Sequence, residues 1–356
     1  MSYIKFINKR LFFVIFIIYI CFNNIIFFSA CFKEKIEIND DGSYKNINSG
    51  SDFIDFSQIS KRQIEILESI LNKTIDNVKI QDIEQVTNIS IVGNHASKNE
   101  YMRSFSPSSY KYGGKHYEYI NDYGNDLSIL KIFTSLETLT ICFTPSLSDL
   151  SFLSKLEKLY SLRIEMTNVY DFSCLSNLEN LTSIIIQCIP IEKIKFNEKN
   201  KIKELYISKA YISDATVFTI LNEIETLSVT YNKIIIENLN NLNNLTNLKR
   251  LEIIAPESNF SFLENLKADL NYLVIGGSDN IDLKNILHFN DTLNDFTLIN
   301  SKNTDLTPLD ELNKLNNITL YNVSDSIKGK KTSPEAIGFN DLQISADVYD
   351  WYEYEK

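Results

Sequence analysis

The chain has 356 residues and a formal net charge of −11, from 35 Lys and Arg against 46 Asp and Glu. An acid excess of this size repels phosphate backbones, so nucleic acid is not an expected partner without a concentrated basic patch. Five cysteines (Cys21, Cys31, Cys142, Cys174 and Cys188) fall at irregular spacings with no Cys-x-x-Cys, which excludes a disulfide framework and a zinc site.

Residues 1–10 carry Lys5, Lys9 and Arg10, residues 11–22 are continuously apolar, and small residues come next at Ser29 and Ala30. A basic stretch, an apolar stretch and small residues before a cut, in that order, make a secretory signal. Phe28-Ser29-Ala30-Cys31 resembles a bacterial lipobox, departing from it at Phe28, where Leu is commoner. That resemblance implies removal of 1–30 and lipid attachment at Cys31. Two other readings stand beside it: an uncleaved membrane helix over 11–30, against which Asn23-Asn24 counts, and a soluble secreted form. All three export the body of the chain, and the expected address is extracytoplasmic, held at the membrane by an N-terminal lipid. Residues 31–55 are polar and read as a tether. Within them Asp40-Asp41-Gly42 lacks the other ligands of a calcium loop and reads as a turn.

In 56–88, Ile64, Leu67, Ile70 and Leu71 fall at helical spacing, and 78–83 leads into a first strand; the segment is a helical cap for a repeat array over 89–323. In that array, apolar pairs with one residue between recur at Leu139/Ile141, Leu162/Ile164, Ile184/Ile186, Leu205/Ile207, Leu227/Val229, Leu251/Ile253, Leu273/Ile275, Phe296/Leu298 and Ile318/Leu320, in steps of 21 to 24 residues. Ile89/Ile91 and Tyr117/Tyr119 extend the series to about eleven turns. Asp126-Leu127 falls at the offset from its pair that Asp171-Phe172 has from Leu162/Ile164. The pair makes a short strand with both side chains inward, and the three-residue leucine spacing of Leu153, Leu156 and Leu159 suits a tight 3-10 return. One such unit buries too little apolar area to offset the entropy of ordering it, so the units must stack.

Residues 95–116 break the period. They carry Lys98, Arg103, Lys111 and Lys115 against Glu100, with Tyr101, Phe105, Tyr110 and Tyr112. This insert is either a surface loop or a basic, aromatic recognition element for an anionic partner. The tail, 324–356, ends in Tyr349, Trp351, Tyr352 and Tyr354 among acids, and either closes the last repeat or binds in its own right.

The repeat resembles the leucine-rich-repeat family in its 22-residue, internalin-like class from bacterial surfaces, over roughly 56–323. The resemblance implies an α/β horseshoe solenoid, with parallel strands on the concave face and short helical or 3-10 segments on the convex one. Its usual Asn three residues after the second strand position is present only at Asn94 and Asn232. Thr144, Thr167, Ala210, Ser278 and Ser301 replace it elsewhere, and the Ala turn is expected to be looser.

In such a strand, outward residues line the concave face. The candidate ligand-binding set is Arg163, Tyr206, Arg250, Ile254, Tyr272, Val274, Ile299 and Tyr321, with Ile254, Tyr272, Val274 and Ile299 as an apolar anchor. Tyr206, Arg250 and Tyr272 are expected to point into the hollow and add nothing to the core. The plainer alternative is that β-favouring residues simply populate strands. His95, His116 and His288 are scattered, and no hydrolase, kinase or metalloprotease motif occurs. No catalytic residue, metal or cofactor is expected. The function expected is non-enzymatic recognition of a protein or glycan by a surface-exposed monomer; the alternative is a structural envelope lipoprotein tethering another component of its own cell.

Overall fold

The computed structural model describes residues 36–38, 44–46, 56, 59–93, 109–112, 115–118 and 126–323. The signal-type segment with Cys31, most of the 95–116 insert and the 324–356 tail lie outside them. Within the stretch read as a tether, β1 (Ile36–Ile38) and β2 (Tyr44–Asn46) form an antiparallel ribbon. Helix α1 (Lys61–Leu71) starts at a capping box in which Ser60 and Gln63 bond each other's backbone N–H, and α2 (Ile80–Glu84) comes after it. Of α1, Ile66 and Leu67 are buried, while Ile64 stays partly exposed. No helix among the described residues is long and apolar enough to cross a membrane.

The main sheet has ten parallel strands: β3 (Asn88–Val92), β6 (Thr138–Thr144), β7 (Ser161–Thr167), β9 (Ser183–Gln187), β11 (Glu204–Ser208), β12 (Thr226–Thr230), β13 (Arg250–Ile254), β14 (Tyr272–Gly276), β15 (Asp295–Ile299) and β16 (Asn317–Tyr321). Between β7 and β11 a two-residue bridge pairs β8 (Asp171–Phe172) with β10 (Lys193–Ile194) on the return path. Register stacks the apolar pairs in columns: Leu205, Leu227, Leu251, Leu273, Phe296 and Ile318 are successive partners. All of these but Ile318, on the last strand, are buried, and one continuous core runs from Phe56 to Leu315. The chain is a leucine-rich-repeat solenoid.

The return path is started by a recurring carboxylate or amide. Asp126, Asp149, Asp171, Asp214, Asn259, Asp282 and Asp305 each accept the N–H two residues on, at 2.7–3.1 Å, where a 3-10 segment begins. The residue after each is buried: Leu127, Leu150, Phe172, Ala215, Phe260, Leu283 and Leu306. An Asp or Asn in this place satisfies a donor that the 3-10 turn leaves free and drives the next side chain into the core.

The turn count needs a correction. The Tyr117/Tyr119 unit is absent from the sheet, because β3 pairs directly with β6, Ile89 opposite Leu139. Tyr117 belongs to an antiparallel hairpin of β4 (Ser109–Tyr112) and β5 (Lys115–Glu118), in register with Tyr110. A backbone engaged in that hairpin has no place in the parallel ladder. Asp126-Leu127 still holds its repeat position, so the excursion between Gly93 and Asp126 lies inside a single turn and the sheet has ten strands.

In nine of the ten strands the chain reaches a left-handed residue two positions past the second inward side chain. Gly93, Phe143, Met166, Cys188, Lys209, Tyr231, Gly277, Asn300 and Asn322 have φ between 50° and 84°. In β13's turn this position is Ala255, which Pro256 holds out of that region, and the left-handed residue moves to Glu257. The Ala210 turn is not loose. Asn232 of the next turn accepts from Ile212 N (2.8 Å) and donates to Ile212 O (2.7 Å), while Lys233 N donates to Ala210 O (3.0 Å).

Candidate binding surface on the concave face

The outward residues of the ten strands form three rows. In the row entering the strands, Glu204, Thr226, Arg250, Tyr272, Asp295 and Asn317 are successive partners; in the middle row the order is Tyr206, Ser228, Glu252, Val274, Thr297 and Thr319. Where the two rows meet at β11–β14, the side chains lock together. The Arg250 guanidinium lies 3.8 Å from the centre of the Tyr272 ring, and its Nε donates to Glu252 Oε1 at 2.7 Å. The other oxygen of Glu252 accepts from Ser228 Oγ at 2.6 Å. Burial, aided by Glu204, raises the Tyr206 pKa above the ordinary phenol value; burial raises that of Tyr272 against the pull of Arg250. Burial works against the charge on Arg250, and Glu252 more than offsets it. At neutral pH the site therefore presents two protonated phenols around a charged guanidinium.

The same Arg-x-Glu pattern occurs in β7, where Arg163 pairs with Glu165 at 2.5 Å. Cys142 Sγ donates to the second oxygen of Glu165 at 3.5 Å. Burial, then Glu165, pushes the Cys142 thiol far up; burial takes Cys174 up to about 12 and also raises Cys188. All three are protonated thiols at neutral pH.

Ile254, Val274 and Ile299 do gather on this face, but not as an exposed anchor. They are 5–6% exposed and form a second apolar cluster, separate from the main core, covered by Tyr231, Tyr272 and Tyr321. Gly276 makes this closure possible: it stands between Ile254 and Ile299 in the sheet, and a Cβ on it would lie 2.1 Å from the Ile299 carbonyl oxygen. The expectation that Tyr272 adds nothing to packing is thereby corrected, since its ring seals this cluster. What faces the hollow is the tyrosine layer above it. Tyr321 joins that layer from the last strand, while Arg163 stands apart from it on β7.

Sequence reading missed Tyr231, Gly276, Ser228 and Glu252 as parts of the site. Ser228 and Glu252 were visible as outward residues at partner positions in adjacent units. Tyr231 lies past its strand, in the left-handed turn, where alternation gives no facing. Among the described residues, no three His, Cys, Asp or Glu side chains form a metal-ligating group. His288 Nε2 sits 3.2 Å from Leu266 O and stacks beside Phe289.

No protein-family model matches the chain, and no curated protein matches it. Solved structures do. Internalin C2 of Listeria monocytogenes is 17% identical, with 73% of this chain and 92% of that one aligned at a TM-score of 0.43. Internalin InlF of Listeria monocytogenes is 19% identical over 74% and 90% of the two chains, at 0.39. The functional domain of InlJ from Listeria monocytogenes, which includes a cysteine ladder, is 16% identical over 70% and 51%, at 0.47.

Proposed function

We propose that this chain is a non-enzymatic binding protein that recognises a protein partner on its concave face, centred on Tyr206, Arg250 and Tyr272. One observation carries the reading: Arg250 is held against Tyr272 and forked to a Glu252 that Ser228 fixes in turn. Tyr and Arg are the residues most often found at the energetic centre of protein interfaces, and side chains immobilised beforehand lose less entropy on binding. A solvated strand surface has no need of such a lock. The tyrosines above Ile254, Val274 and Ile299 extend the contact area, with Tyr321 at its far end. A protein partner suits this layer of tyrosines around a fixed Arg250–Glu252 pair better than a glycan does.

The order of residues 1–31 supports display outside the cytoplasm on a lipid at Cys31; Cys31→Ser should abolish lipid labelling. The binding reading is tested by capturing a partner with the intact chain and measuring its affinity for Arg250→Ala and Tyr206→Ala, each checked for an unchanged melting curve. Both should weaken binding by about tenfold or more, equivalent to about 1.4 kcal/mol. If both bind normally while replacement of 97–115 by a Gly-Ser linker loses the partner, the basic insert is the site and the concave-face reading fails.

A further inference from the structure

We infer, resting on the concave-face reading of Tyr206, Arg250 and Tyr272, that the partner offers a basic segment: an extended stretch of polypeptide carrying Lys or Arg beside an apolar side chain. The inference comes from how charge is distributed over the strands. Tyr206 lies among Glu204, Arg250 and Glu252, and Tyr272 among Arg250, Glu252 and Asp295. One cation thus stands among three carboxylates. Glu252 is fully engaged, one oxygen by Arg250 and the other by Ser228.

The remaining two carboxylates are met by neutral groups. Glu204 Oε2 accepts from Ser183 Oγ at 3.3 Å, and Asp295 accepts from Asn294 Nδ2 at 2.5 Å and Asn317 Nδ2 at 2.6 Å. They occupy the same row, four strands apart, on either side of the Arg250–Tyr272 stack. The other charged pair on this face, Arg163 with Glu165, cancels itself. In the two outward rows of β11–β15 the charges are therefore one arginine against three carboxylates, a net −2. A partner carboxylate would have to displace Glu252 from Arg250 and would meet Glu204 and Asp295 unshielded. A partner cation finds a carboxylate to either side of the stack and a tyrosine layer for the apolar groups next to it. The net charge of −11 on the whole chain steers the same partner from a distance.

The test uses the full chain in nanodiscs of a zwitterionic lipid, with empty nanodiscs as the blank, and three labelled peptides of equal length. One spaces Lys–Leu pairs in a Gly-Ser background, the second replaces Lys by Glu, and the third replaces Leu by Ser. The Lys–Leu peptide should bind at least about tenfold tighter than either of the others. Its affinity should fall by a similar factor in the Glu204→Gln, Asp295→Asn double variant, and should fall with added salt. Binding of the Glu–Leu peptide in preference, lost in Arg250→Ala and Tyr206→Ala, overturns the basic segment and leaves the concave face standing. Lys–Leu binding indifferent both to Tyr206→Ala and to the double variant overturns both. Failure of all three peptides to bind overturns the basic segment.

Discussion

Removing the Asn232 side chain is the sharpest test of how adjacent turns are joined. Asn232 is 1% exposed, and its amide makes three bonds to backbone: it accepts from Ile212 N at 2.8 Å and donates to Ile212 O at 2.7 Å and Ile234 O at 2.6 Å. Two of these cross to the preceding turn, where Ala210 has no polar group to offer. Asn232→Ala removes the partner of a buried N–H and of two carbonyls. A net loss of about 0.5–1.5 kcal/mol for each of the three bonds, plus desolvation of an orphaned donor at about 1–3 kcal/mol, puts the cost at about 2.5–7.5 kcal/mol. Asn232→Asp keeps the acceptor but loses both donations and buries a charge, so it should be no better. Urea melts followed by circular dichroism measure both. A cost below about 1 kcal/mol for the Ala variant would mean that the turns are held by strand pairing alone, and the reasoning would be wrong.

Leu227→Ala, at a fully buried position in a central column, should cost about 2–5 kcal/mol in the same melts; a loss under about 0.5 kcal/mol would contradict the register. Gly276→Ala puts a methyl against the Ile299 carbonyl, so β14 and β15 must separate. It should cost about 1–3 kcal/mol, the usual range for overpacking, and increase quenching of tyrosine fluorescence by acrylamide as the cluster opens; unchanged quenching would show that the cluster does not depend on the glycine. Acid should destabilise the fold in a defined window. Ser173, through its N–H at 2.7 Å, and Lys193 hold Asp171 down at about 2, and Asp214 and Glu225 are also lowered, by hydrogen bonds from Thr216 and Lys249. Their folded pKa values lie below the unfolded ones, so the stability they confer is present above about pH 4 and is lost as pH falls towards 2. Denaturant midpoints that stay flat from pH 5 to about 2 would refute this. Maleimide labelling mapped by mass spectrometry should find Cys142 and Cys188 slow in the folded chain and fast after unfolding, because burial keeps both thiols protonated.

Much of the fold was legible in the sequence because its determinants are local and repeat. The L-x-I pair sets strand and facing together, and nine copies at nearly constant spacing fix how the strands stack. The Asp at the start of the return path could be read from two aligned units because it needs only the N–H two residues away. The eleventh turn was misread because Tyr-x-Tyr satisfies the same local pattern, and nothing local tells a parallel strand from one arm of a hairpin. Only pairing partners decide that, and β3 found β6 across the whole insert.

At the candidate site the division is sharper. The sequence by itself determined which residues point away from the core, since alternation along a strand fixes sides, and Arg250, Tyr272, Ile254, Val274 and Ile299 all lie where it put them. Whether an outward residue is exposed depends on its neighbours in other turns, and only the tertiary structure decided that. Gly276 lets Ile254 and Ile299 close together, Tyr231 arrives from a left-handed turn, and three tyrosines bury what alternation had left in solvent. The charge of the surface was decided in the same way: Glu252 takes Arg250 for itself, so a face that carries two arginines in sequence offers its uncompensated charge as carboxylate.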